Sequence, residues 1–404
     1  MKILILSNKI PFPPKDGGSI ATFNLAKGFS DLGNEVTILS LNTSKHFSKI
    51  EDIPKEISSK IKFIDSYIDT EIKLTRLLKN LFFAKIPYNA ERFISVDFGL
   101  QIIKILSDKK FDIIQLEGLY LFPYIQIIRK FSDAKISMRA HNVEHEIWER
   151  TLSLEKNIIK KIYLKILTRR IKKFEISMLN NYDLLIPITE RDALKLNELG
   201  NSKKTFVSPC GFDFENISKP EKIDNNDIEF PSIFHIGALD WTPNQEGILW
   251  FIDNCWNDIS FKMPNLKFYI AGRNAPKWFI DKINIKNIIF CGEVENSAQF
   301  IKSKALMIVP LLSGSGMRVK IIEGMALGKT IISTSIGVEG IDVEDNKNIL
   351  ISDNPEKFIN SIFYILNNRQ HFFEIGKNAN VYIYENFDNF ALSKKLIDFY
   401  KANI

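Results

Sequence analysis

The sequence predicts an α/β protein of two domains in tandem, each a parallel sheet covered by helices on both faces. Three observations predict it. Short, continuous apolar runs recur with helical segments between them, which is how strands buried on both faces of a parallel sheet read. The rhythm breaks once, at residues 211–232, and then restarts. The length of 404 residues also exceeds one domain of ordinary size.

Taken in order, Ile3–Leu6 is the first buried strand. Gly17 and Gly18 follow in a polar, Pro-rich loop. Ile20, Phe23, Leu25, Ala26 and Phe29 then recur at helical spacing, and Gly33 closes that helix. Residues 35–41 (EVTILSL) form the next strand, and 111–118, 135–142, 183–189 and 204–211 continue the sheet. The N-terminal domain therefore takes residues 1–210. Residues 211–232 carry two prolines, several acids and little helical periodicity, and read as a linker.

The C-terminal domain covers 233–385. Strands are expected at 232–239, 266–273, 287–294, 305–312, 329–337 and 348–353, with helices at 246–257, 295–303, 319–327 and 355–368. A Thr242 cap, Pro243 at the first helical position and Gln245 three residues after the cap mark one helix start. Residues 386–404 read as an amphipathic helix with Phe387, Phe390, Leu396 and Phe399 on its apolar side, long enough to cross back to the N-terminal domain.

Composition narrows the function classes. Apolar residues make up 45% and charged residues 25%, which argues against a disordered chain and a coiled coil. A net charge of +6 is too mild to indicate nucleic-acid binding. The three cysteines, Cys210, Cys255 and Cys291, are far apart with no CxxC, so neither a disulfide framework nor a structural zinc site is expected. The first apolar run is too short for a signal-peptide core, and no run is long enough to span a bilayer. A cytoplasmic protein is expected, peripheral on the inner face of the membrane at most.

The most informative segment is 310–340, PLLSGSGMRVKIIEGMALGKTIISTSIGVEG. A strand ends at Leu312, and Ser313, Gly314, Ser315 and Gly316 lead straight into a helix. Backbone N–H groups at such a junction suit an anion. Arg318 and Lys320 lie in the first helical turn, where the dipole disfavours cations. Charge-assisted bonds to a phosphate, about 1.5–3 kcal/mol each, would offset that. Glu323 follows on the same helix and could accept both hydroxyls of a ribose, as acids do in other nucleotide sites. An ordinary αβ turn with surface charges is the competing account.

Two further residues stand at strand ends. His141 precedes Asn142 and Glu144 and could position a hydroxyl as a neutral imidazole, or could bond backbone only. Glu117 ends the strand FDIIQLEG and could contact acceptor or cap its own loop.

The 310–340 segment resembles the donor-nucleotide signature of the family 4 retaining glycosyltransferases, which have the GT-B fold. Gly17-Gly18 is similar to the family's N-terminal glycine loop beside the donor diphosphate. RAHNVE (139–144) resembles its short His-containing motif, SPCGFD (208–213) its domain-junction motif, and the terminal helix the one that crosses back. The resemblance implies two Rossmann-like domains facing a cleft, and a hexosyltransferase-type enzyme that moves a sugar from a nucleotide-sugar donor to an acceptor hydroxyl. It implies Gly17, Gly18, Gly314, Gly316, Met317, Arg318, Lys320 and Glu323 as donor-binding residues and His141 as the catalytic residue. Arg139, Asn142, Glu117 and Ser315 become acceptor or sugar contacts. It further implies a glycan or lipid-linked acceptor, cell-surface polysaccharide or glycolipid as product, and front-side attack assisted by the leaving phosphate rather than by a side-chain base.

The chain departs from the family pattern in two places. The usual first Glu of the signature is replaced by Ser315, and the Arg and Lys usual after the first C-terminal strand are absent from ALDWTPN (238–244). Arg318 and Lys320, with Arg273, are expected to supply that charge. No DxD triplet occurs, so no metal and no other cofactor is expected.

Residues 156–173 hold eight basic residues and no acid, with Ile158, Ile162 and Ile166 in one stripe and Ile159, Tyr163, Leu167 and Ile171 in another. A basic amphipathic helix suits an anionic membrane surface, and equally suits a core-packed helix with a solvated face. Two other functions stay open: a catalytically silent partner subunit, favoured by the missing Glu, and an NAD-dependent oxidoreductase, disfavoured because no GxGxxG follows either first strand.

Overall fold

The computed structural model describes residues 1–214, 228–314 and 316–404. The chain divides into two compact units, Met1–Gly211 with Asn389–Ile404, and Phe212–Asp388. In the first, seven strands run β1 Lys2–Ser7, β2 Glu35–Thr43, β3 Ile61–Ile68, β4 Ile113–Glu117, β5 Lys135–Ala140, β6 Leu184–Pro187 and β7 Lys204–Thr205. They order β3-β2-β1-β4-β5-β6-β7, all parallel. In the second, β8 Glu229–Ile236, β9 Lys267–Ala271, β10 Ile288–Gly292, β11 Lys304–Val309, β12 Ile331–Ser333 and β13 Leu350–Ile351 order β10-β9-β8-β11-β12-β13, again parallel. That second order is the Rossmann order, 3-2-1-4-5-6 by position.

The central strand β1 shows why these runs are continuously apolar. Side chains alternate across a strand. Leu4 and Leu6 enter one core with Phe98, Ile102 and Ile128, while Ile3 and Ile5 enter another with Leu25, Phe29, Leu396 and Tyr400. Both faces are covered, so every residue from Ile3 to Leu6 is buried.

The terminal helix Asn389–Lys401 belongs to the first unit. Tyr400 anchors it: its hydroxyl donates to Gln115 Oε1 at 2.7 Å and meets Ser137 Oγ at 2.8 Å. The expected apolar side holds in part, since Leu396 is buried and Phe399 packs against the core. Leu396, Ile397 and Tyr400 face the core, Phe390 is exposed, and Phe387 precedes the helix.

Other elements also differ from expectation. The edge strand β3 pairs with β2 over eight residues, yet only Ile61 and Ser66 are fully buried, so no continuous apolar run announces it. β7 is only two residues long; Ser208 N–H still reaches the Pro187 carbonyl, but Pro209 has no donor to continue the ladder. β8 starts at Glu229, inside the stretch read as linker, of which 215–227 lie outside the described residues. The helix Thr242–Phe251 is capped by Trp241 without a side-chain bond, so Thr242 is not the cap. Gln245 Nε2 instead donates to the Leu239 carbonyl at 2.6 Å.

Candidate functional site

In the second unit, three residues converge just past the carboxyl end of β8. His235 is completely buried on that strand. Its Nδ1 lies 2.9 Å from the Ile308 carbonyl. A carbonyl only accepts, so Nδ1 carries the hydrogen and Nε2 presents a lone pair. Lys320 Nζ stands 3.2 Å from that Nε2 and donates to Asn244 Oδ1 at 2.5 Å. Asn244 is held in turn by its Nδ2, which donates to the Ala238 carbonyl at 2.7 Å. Burial and the Lys320 charge push the imidazole well below its usual pKa. Burial, reinforced by Arg318, lowers Lys320 to about 7. No carboxylate neutralises this ammonium within salt-bridge distance in the described residues.

Glycine keeps that corner open. A Cβ at Gly237 would stand 2.9 Å from Asn244 Nδ2 and 3.1 Å from Lys320 Nζ. Gly314, at φ +114°, sits against the Arg318 guanidinium and the Trp241 indole; a Cβ there would meet each at 3.0 Å. Arg318 caps the helix Val319–Ala326, donates to the Gly316 carbonyl and lies over the Trp241 ring at 5.7 Å. Met317 is buried beside it. Glu323, half-buried on the same helix, accepts from Ser297 Oγ at 2.7 Å, and burial raises its carboxyl. Arg273 follows β9, its Nε buried without a hydrogen-bond partner among the described residues.

In the first unit, the ends of β4 and β5 build a second constellation. Glu117, the last residue of β4, accepts from Thr22 Oγ1 at 2.9 Å, from His141 Nε2 at 2.7 Å and from Gln115 Nε2. Arg139 Nη1 lies 3.7 Å away. Burial alone would raise this carboxyl, but Arg139, His141 and Gln115 outweigh it and hold it at about 2. A carboxylate only accepts, so His141 carries its hydrogen on Nε2 and leaves Nδ1 as the acceptor of the neutral ring. Nearby, burial and the Glu175 carboxylate raise Glu144 to about 7, with Tyr120 OH donating to it at 3.1 Å.

Residues 15–216 match the sequence profile of Glycosyltransferase Family 4, and residues 230–368 that of glycosyl transferases group 1. The chain belongs to glycosyltransferase family 4. The transferase resembles solved structures along its whole length. Sucrose-phosphate synthase (tll1590) from Thermosynechococcus elongatus matches at TM-score 0.72 and 15% identity, covering 100% of this chain and 99% of that one. Anabaena Alr3699/HepE in complex with UDP matches at 0.70 and 13%, covering 100% of both. TarM matches at 0.69 and 14%, covering 99% and 98%. These likenesses establish the GT-B fold. A curated relative, an uncharacterized 44.6 kDa protein in the cps region of Klebsiella pneumoniae, is 23% identical over 400 residues, 96% of this chain and 97% of its own. Family membership sets aside the oxidoreductase reading.

Within the glycosyltransferase, the expected site residues are distributed over both units. Lys320, Arg318, Gly314, Gly316 and Met317 gather around the β8 corner and the following loop. His141 and Glu117 are joined by a direct hydrogen bond, with Asn142 half-buried alongside. Arg139 is placed differently from the expectation of an acceptor contact. It is 0% exposed, donates to the Ala21 carbonyl at 2.9 Å and serves to charge-balance Glu117. Gly17 and Gly18 open the helix Gly17–Asp31, whose N-terminus is already capped by Asp16. Burial would raise that carboxylate, but Lys9 Nζ at 2.5 Å helps to hold it at about 2. Ser315 lies outside the described residues.

Sequence reasoning missed His235, Asn244 and Trp241. A lone histidine inside an apolar strand carries no signal of its own. The available signal was the polar Asn244 directly after Pro243, at the helix start that follows the same strand. Among the described residues, no three His, Cys, Asp or Glu side chains group as a metal site.

Proposed function

We propose that the enzyme transfers a sugar from a nucleotide-sugar donor to an acceptor hydroxyl with retention, in the assembly of a polysaccharide. The observation that carries the donor assignment is Lys320, a half-buried ammonium with an oriented lone-pair partner in His235 and no neutralising carboxylate at salt-bridge distance among the described residues. A diphosphate supplies the missing negative charge, and the glycine corner at Gly237 leaves room for its oxygens. Arg318 adds a second positive charge, and Glu323 suits the ribose hydroxyls. HepE structures in complex with UDP and with UDP-glucose support a nucleotide-sugar donor, and the cps-region relative supports a polysaccharide product.

In this reading the anomeric carbon–oxygen bond to the β-phosphate breaks while the acceptor oxygen bonds the same carbon from the same face. The acceptor proton passes to the departing phosphate oxygen. Lys320 and Arg318 stabilise the charge that develops there, the part a metal ion plays in other transferases. His141, held by Glu117, orients a hydroxyl through Nδ1. A glycan or lipid-linked acceptor fits this chemistry.

A thermal-shift series with UDP, GDP, ADP and CMP, each with its sugar conjugates, tests the proposal. One nucleoside diphosphate and its sugar should raise the melting temperature, and that sugar nucleotide should release the diphosphate when acceptor is added. No shift with any of them would contradict the donor assignment. Binding without release would identify a catalytically silent relative.

A further inference from the structure

We infer that the first unit carries a docking surface for a bilayer containing anionic phospholipid, formed jointly by the helices Leu74–Phe83 and Ile158–Met178. The second helix packs with only one side: Leu164, Leu167, Ile171 and Phe174 are buried. Its opposite side is not an ordinary solvated face. Ile158, Ile162 and Ile166, at four-residue spacing, are all exposed, Ile158 by 75%. Lys161, Lys165, Arg169 and Lys173 stand exposed in the same rows. Isoleucines among lysines on a solvent face are unfavourable in water and suited to a headgroup–acyl boundary, where apolar side chains insert and cations meet phosphates.

The first helix extends the surface. Arg170 donates to the Asn80 carbonyl at 3.1 Å, to Asn80 Oδ1 at 3.0 Å, to the Ile86 carbonyl at 3.2 Å and to the Ala84 carbonyl, tying residues 80–86 to the long helix. Ile72, Leu74 and Phe83 are exposed there, Phe83 by 83%. Lys73, Arg76, Lys79 and Lys85 are exposed as well.

Charge bookkeeping decides the occupant. Residues 72–86 and 156–173 contain twelve of the chain's 54 basic residues and none of its 48 acids. The remaining 42 basic residues are outnumbered by those 48 acids, so the entire positive excess lies in these two segments. A nucleic acid would use the cations but leave the isoleucines and Phe83 in water; an anionic bilayer uses both. No helix of the described residues is long and apolar enough to cross a membrane, so the contact is peripheral.

Vesicle co-sedimentation of the full chain tests this. The protein should bind phosphatidylglycerol–phosphatidylcholine vesicles at least about tenfold more tightly than pure phosphatidylcholine vesicles. A Lys161→Glu, Lys165→Glu, Arg169→Glu variant should lose about tenfold or more of that binding. An Ile158→Ser, Ile162→Ser, Phe83→Ser variant should also bind more weakly, and its remaining binding should be abolished by salt. All six positions are exposed, and an unchanged melting curve confirms that each variant folds. Equal partitioning on both vesicle types, unchanged binding by either variant, or binding to duplex DNA with vesicles ignored would overturn the inference. The readout is partitioning, so it stands or falls apart from the donor assignment.

Discussion

Nζ of Lys320 lies 3.2 Å from Nε2 of His235, whose other ring nitrogen is committed to the Ile308 carbonyl. The strand thus delivers a neutral, tautomer-locked histidine that points a lysine, and the lysine has no countercharge at salt-bridge distance among the described residues.

His235→Ala removes that lock. It leaves the Ile308 carbonyl without this partner and the ammonium without its acceptor. Stability should fall by about 1–3 kcal/mol, read from urea unfolding. Donor affinity should fall as well, because Lys320 is no longer aimed. His235→Gln, which can donate and accept, should recover part of both.

The lowered pKa of Lys320 has a defined sign. From about 7 up to the ordinary lysine value of 10.5, the unfolded state holds a proton that the folded state lacks. This group therefore makes stability rise with pH across that window, and its burial is fully unfavourable only below about 7. Donor binding runs the other way, because a diphosphate favours the charged ammonium. Affinity should weaken as pH rises above about 7, with proton uptake on binding. Calorimetry in buffers of different ionisation enthalpy measures that uptake, and Lys320→Ala should abolish it.

Fold and site were unequally legible in the sequence. β1 and β11 are buried on both faces and announce themselves as apolar runs, whereas β4 is equally buried but carries Gln115 and Glu117 among its apolar residues. β3 is an edge strand with only Ile61 and Ser66 fully buried, and it shows no such run. Arg318 and Lys320 stand out locally, since cations at a helix start, one at the cap and one in the first turn, need a reason. His235 does not, because its meaning arises only when β8 meets a lysine 85 positions away. The Glu117–His141 bond likewise links two strand ends that sequence could name singly but not pair.

That bond predicts a division of effects. Glu117→Gln and His141→Ala should each lower kcat, by about 10²-fold for the histidine, while donor affinity in the second unit stays unchanged. Arg139→Ala should act on the fold instead, costing about 3–5 kcal/mol by leaving Glu117 as an uncompensated buried charge. Steady-state kinetics beside chemical unfolding separates the two.

In the proposed mechanism basic side chains take the role of a cation, so transfer should persist in excess EDTA, with full diphosphate release. Loss of activity that magnesium or manganese restores would show that a metal takes part.

The most direct measurement is calorimetric titration of Lys320→Ala and Arg318→Ala with the nucleoside diphosphate that stabilises the wild-type enzyme. Loss of one charge-assisted contact of about 1.5–3 kcal/mol predicts affinity about 10- to 100-fold weaker for Lys320→Ala. Affinity within about twofold of wild type for both variants would mean that the diphosphate binds elsewhere.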